Sequence, residues 1–126
     1  MKIYYSHCMA IYNASQETED INLLRSMRFK VENPNSKKHI ERVKKIRYSS
    51  MSLDPGAEIM EYFTKLVKKS DALAFRALPD GSITAGVHKE IVTAQKNNIP
   101  VLELPYCDKR KILSVEETRS YLRGKR

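Results

Sequence analysis

The chain has 126 residues, a formal charge of +8 and an apolar fraction of 41%. This is length enough for one domain with its own core, and the composition is too apolar for disorder. No apolar run approaches the roughly 18 residues of a membrane span, and MKIYYSHCMA lacks the apolar stretch of a signal peptide, so the expectation is a single cytoplasmic domain over 1–126 with no membrane partner.

Lys2 to Ser6 (KIYYS) is β-branched and aromatic and predicts a buried strand. Cys8, just beyond it, has no CxxC partner, and Cys107 lies far away, so both read as reduced thiols. With His7, His39 and His88 equally scattered, no zinc set is expected. Asn13 to Met27 predicts a helix, with Ile21, Leu24 and Met27 in one apolar stripe. Asn13 with Gln16 has capping-box spacing, and Ser15 is an alternative cap. Phe29 to Glu32 predicts a second strand, ended by Asn33-Pro34-Asn35.

Residues 36 to 53 are the least patterned. Ile40, Val43 and Ile46 fit a short helix within the basic run KKHIERVKKIR, followed by a loop from Tyr48 to Ser52. A positive field draws in anions such as phosphorylated small molecules. Nucleic acid is not the expected partner, because no aromatics interleave with the charge. Asp54-Pro55 is a helix start, and Ile59, Phe63, Leu66 and Val67 fall on one face of that helix. Asp71 to Leu78 predicts a third strand and Pro79 to Ser82 a turn. Ala85 to Asn97 predicts a helix with Val87, Ile91 and Ala94 inward, and Ile99 to Leu104 a fourth strand. Ser114 and Glu117 have capping-box spacing for a basic helix over about 114–123.

Alternating strands and helices imply a small parallel sheet of four to five strands covered on both faces. This is a flavodoxin-like or Rossmann-like α/β domain with the first strand in the middle. Ligands of such sheets bind beyond the carboxyl ends of the strands. Three small or polar segments end there: Ser6 to Met9, Asn33 to Asn35, and Pro79 to Gly86.

Gly81, Ser82, Thr84 and Gly86 precede or open a helix and suit an anion such as phosphate, although the same residues serve as plain caps. Glu90 shares a helix face with Gly86 and Ala94, small residues that leave room above its carboxylate. The nearby helix N-terminus is expected to keep that carboxylate ionised, fit to attack an anomeric carbon or stabilise an oxocarbenium-like transition state. The alternative is a first-turn Glu that merely complements the helix dipole. His88 points to another side of the helix. His7, beyond the first strand, is better placed, and Tyr4 or Tyr5 can reach a ligand's base, core packing being the commoner role of a strand Tyr.

These segments together resemble the nucleoside 2-deoxyribosyltransferase-like superfamily, which includes N-glycosidases of nucleoside 5'-monophosphates. The resemblance runs from Lys2 to about Leu104. KIYYSHCM is similar to the family's opening strand and loop, VENPN to the end of its second strand, and LVKKSDALAF to the approach to its third. DGSITAGVHKEIVTAQKNNIPV carries its signature of a Gly/Ser loop, Gly, then Glu four residues later and Ala four after that. It implies that Glu90 is the nucleophile, and that Ser6 and the loop Asp80 to Gly86 grip sugar or phosphate. It further implies that no cofactor is needed and that the chain forms a homodimer or larger homo-oligomer. One position departs: where the family carries a second acid, this chain has Phe63, with Glu61 as the nearby substitute. The expected function is cleavage or transfer at the N-glycosidic bond of a nucleoside or nucleoside 5'-monophosphate. The alternative is a non-catalytic nucleotide-binding module on the same fold.

Overall fold

Strands and helices alternate along the chain in the computed structural model, which describes residues 1–49, 51, 53–79, 81–105 and 114–124. β1 (Lys2–Ser6) leads through a 3-10 turn at Met9–Ile11 to α1 (Ser15–Ser26). β2 (Lys30–Glu32) is followed by α2 (Lys37–Arg47) and α3 (Pro55–Lys68). β3 (Ala72–Phe75), α4 (Ala85–Lys96), β4 (Val101–Glu103) and α5 (Val115–Gly124) complete the order. The strands form one parallel sheet in the order β2-β1-β3-β4, with β1 inside it as the sequence predicts.

The two-residue period of β1 divides the core. Tyr4 faces one side and packs with Val67 of α3, Leu73 and Phe75 of β3, and Val87, Ile91 and Ala94 of α4. Ile3 and Tyr5 face the other side and pack with Leu24 of α1, Ala72, Ala74 and Leu104. Helices therefore cover both faces, the small α/β architecture that the alternation implies.

Local chemistry sets the element ends. Asp54 accepts from the Ala57 amide at 3.1 Å and starts α3. Ser114 and Glu117 close their capping box at 3.1 and 3.3 Å. At α1 the reading is corrected. The helix begins at Ser15 after Ala14, whose side chain makes no cap, and Asn13 sits at φ 64°. Glu17 reaches back instead and accepts from the Asn13 amide at 3.3 Å.

β3 is shorter than the segment Asp71 to Leu78. The Asp71 carboxylate accepts from the Lys2 amide at 2.8 Å at its start, and the Leu78 amide turns to the Ser82 carbonyl at 2.9 Å after its end. Helix α2 is longer than its apolar spacing suggests, and its buried residues are His39 and Ile46, while Ile40 remains 37% exposed. The His39 ring bonds Glu32 of β2 through one nitrogen and the Tyr62 hydroxyl of α3 through the other, which seats α2 between them. Among the described residues no helix is long and apolar enough to cross a membrane. Cys107 lies outside the described residues.

Candidate active site

β1 ends with Tyr4 and Ser6 on one face of the sheet, two residues apart. Packed against that face, α4 brings in Glu90 one turn beyond Gly86. The Tyr4 hydroxyl donates to Glu90 Oε2 at 2.6 Å, and the Ser6 hydroxyl donates to Oε1 at 2.7 Å. Glu90 is 6% exposed, and Tyr4 and Ser6 are fully buried. Both carboxylate oxygens are thus fixed by neutral donors.

A cavity of about 320 Å³ opens above this group. Glu90, Tyr4, His7 and Cys8 line it from the sheet end, Thr84, Gly86 and Val87 from the start of α4, and Ile59, Met60 and Phe63 from α3. Met9, Tyr12 and Pro34 close the remaining side. No Lys or Arg is among these lining residues. The walls are apolar and the polar groups few and convergent, which is the usual character of a small-molecule site.

The absence of a counter-charge in the wall matters for Glu90. Burial disfavours its charged form and pushes the pKa up to about 7, with the Ser6 and Tyr4 hydrogen bonds pulling the other way. The expectation of a permanently ionised carboxylate is corrected on this point: desolvation outweighs the two donors. Burial also raises the Tyr4 hydroxyl, with Glu90 adding to the shift. The Tyr12 hydroxyl is raised by burial first and then by Glu90 and Glu17.

His7 is 5% exposed and forms part of the wall. Its Nδ1 lies 3.0 Å from the Tyr5 carbonyl and its Nε2 2.7 Å from Glu17 Oε2. The ring stacks on Tyr5 with centroids 3.8 Å apart. Burial lowers the imidazole pKa, and Glu17 opposes that. Asn35 donates to both Glu17 oxygens at 3.1 Å, so one network runs from His7 in the wall through Glu17 to Asn35.

The other candidates divide. Thr84, as the residue before α4, and Gly86 line the cavity. Gly81, at φ 87°, and Ser82 form an exposed turn and are not among its lining residues. Asp80 lies outside the described residues. Ser6 touches Glu90 and is not itself a wall. Ala94 is fully buried in the core, as its inward position predicts, and does not line the cavity, so it is not the space-maker beside Glu90. Glu61 is exposed and pairs with Lys65 at 3.4 Å. Phe63 occupies the cavity wall, so Glu61 does not supply a second acid there. Among the described residues no group of three His, Cys, Asp or Glu side chains is arranged to hold a metal ion.

Sequence reasoning missed Tyr12, Met60 and Glu17. Tyr12 stands in the segment that leaves the carboxyl end of β1, which was the available signal. Glu17 was legible only as a first-turn acid.

On the opposite face Tyr5 donates to Asp20 Oδ2 at 2.6 Å. Arg76, just past β3, forks onto both Asp20 oxygens, and both residues are almost fully buried. Comparison of the chain with known protein families, with curated proteins and with solved structures finds no match.

Proposed function

We propose that this protein cleaves or transfers the N-glycosidic bond of a nucleoside or nucleoside 5'-monophosphate, with Glu90 as the attacking carboxylate. One observation carries the reading: a buried carboxylate, held at both oxygens by Tyr4 and Ser6, on the floor of an apolar cavity at the carboxyl ends of the strands. A carboxylate so held is oriented before substrate arrives and loses little freedom in the transition state.

In this reading the sugar's anomeric carbon lies over Glu90. As the bond to the base breaks, positive charge develops on the sugar, and the carboxylate stabilises it or bonds to it. Water or a second base then takes the sugar, giving hydrolysis or transfer. The first-turn amides of α4, beside Thr84 and Gly86, have no intrahelical partners and suit the sugar's hydroxyl oxygens. A homodimer and a cytoplasmic location belong to the same reading, the first testable by light scattering of the purified protein.

A second reading, a nucleotide-binding module without chemistry, is favoured by the exposed placement of Glu61. Chromatography of the protein incubated with nucleosides and nucleoside 5'-monophosphates separates the two. Free base released by the wild type and not by Glu90→Ala supports cleavage. Binding without release supports the module.

A further inference from the structure

The cavity above Glu90 does not end at Pro34. A second hollow of about 500 Å³ shares Met9, Tyr12, Pro34, Ile59 and Phe63 with it, so the two adjoin and are taken together as one groove. Small-molecule sites run from about 300 to 1,000 Å³, so either part alone has the size of a site. The far part is lined by α2 and the residue that follows it: Ile40, Val43, Lys44, Arg47 and Tyr48.

The chemistry changes along the groove. The near part has a carboxylate and no Lys or Arg among its lining residues. The far part has two exposed cations, Lys44 and Arg47, neither of them in an ion pair among the described residues. Beside them stand a Tyr ring 80% exposed and the apolar Ile40 and Val43. Arg matches phosphate oxygens with paired donors, and an exposed Tyr ring offers a face on which a base stacks. This sequence of surfaces fits a sugar, then phosphates, then a second base.

We propose that the substrate is a dinucleotide joined through a pyrophosphate, with its scissile N-glycosidic bond over Glu90 and its second nucleotide on α2, where Lys44 and Arg47 hold the phosphates. This rests on the reading of Glu90 given above. It also selects a leaving group. Tyr4 spends its proton on Glu90, both His7 nitrogens are engaged, and the Tyr12 hydroxyl is held well above its ordinary range. A pyridinium base needs no proton to depart. The C1'–N bond breaks, its electron pair goes to the ring nitrogen, and the ring loses its positive charge. Glu90 bonds to C1'. Water then attacks C1', the carboxylate leaves, and the proton of that water passes to solvent.

The test uses nicotinamide adenine dinucleotide and nicotinamide mononucleotide as probes, with the wild type and the double variant Lys44→Ala/Arg47→Ala. The expected result is release of nicotinamide from both, with the lower KM for the dinucleotide. In the double variant the dinucleotide's KM rises about tenfold or more and its advantage over the mononucleotide shrinks. Cleavage of mononucleotides with an unchanged ratio in the variant overturns the inference and leaves Glu90's role standing. If neither probe is cleaved, the pyridinium leaving group is overturned, Glu90's role is decided by base release from nucleosides and nucleoside 5'-monophosphates, and calorimetric binding of the dinucleotide decides the groove. Binding weakened by the double substitution supports the groove's assignment; no binding, or binding indifferent to it, overturns the assignment. Binding of a single-stranded oligonucleotide through the same two cations, with none of the dinucleotide, also overturns it.

Discussion

The Tyr4 hydroxyl lies 2.6 Å from Glu90 Oε2 across 86 residues of sequence. Ser6, two residues further along the same strand, holds the other oxygen at 2.7 Å. One face of β1 therefore aims the only carboxylate among the residues lining the cavity.

Removing that carboxylate separates chemistry from folding. Glu90→Gln and Glu90→Ala are expected to lower kcat by on the order of 10³-fold or more, with circular dichroism unchanged. Full turnover in either variant sinks the mechanism.

The raised pKa gives a pH dependence. The attacking form is ionised, so kcat/KM rises with pH through about 7 and levels above it. Tyr4 and Ser6 favour the charged form, and deleting a donor weakens that support. In Tyr4→Phe and Ser6→Ala the acidic limb is therefore expected to move to higher pH. A limb that stays put, or moves to lower pH, contradicts the assignment.

The same carboxyl costs stability. Its pKa is 4.5 in an open chain and about 7 when folded, so the folded state holds the proton more tightly. The proton-linked contribution is fully present below about pH 4.5 and is lost as pH rises through about 7, a penalty of about 3 kcal/mol. Glu90→Gln, which carries no charge, is expected to exceed the wild type in Tm at pH 8 by more than at pH 4. Thermal melts of the two proteins at both pH values decide it.

On the far side of the sheet, Arg76→Ala leaves Asp20 buried without its partner. Loss of one member of a buried pair costs about 3–5 kcal/mol, and the double replacement Asp20→Asn/Arg76→Met should cost less than the single one. Urea unfolding of both variants measures this, and equal losses would falsify the coupling.

Gly86→Ala is expected to act in opposite directions on stability and binding. A Cβ there meets Met60 Sδ at an ordinary 3.9 Å, so the fold accepts it. The helix gains about 0.5–1 kcal/mol, while the methyl enters the cavity and raises KM. An unchanged KM would place the substrate elsewhere.

Much of the architecture was legible because alternation and breakers report which segments are strands and in what order. Glu90 was legible for a related reason: helical spacing from Gly86 placed it near the end of the sheet. Depth was not legible. Periodicity gave Ile59 and Phe63 a common face but not that a cavity borders it, and it hid the inward turn of His39 in a basic run. The ties from His7 to Glu17, and from Tyr5 to Asp20 and Arg76, join side chains that only the folded chain brings together. The pKa of Glu90 followed from burial that no spacing reports.

Tyr4 and Tyr5 are neighbours, and each donates at 2.6 Å to a carboxylate, one on either side of the sheet. The motif is thus built twice, and a guanidinium separates the copies. Asp20 has Arg76 and serves as a rivet. Glu90 has no such counter-ion among the lining residues and keeps a proton it can lose near neutrality. The chain carries its own control experiment: a cation placed beside Glu90 would convert the reactive copy into a second rivet.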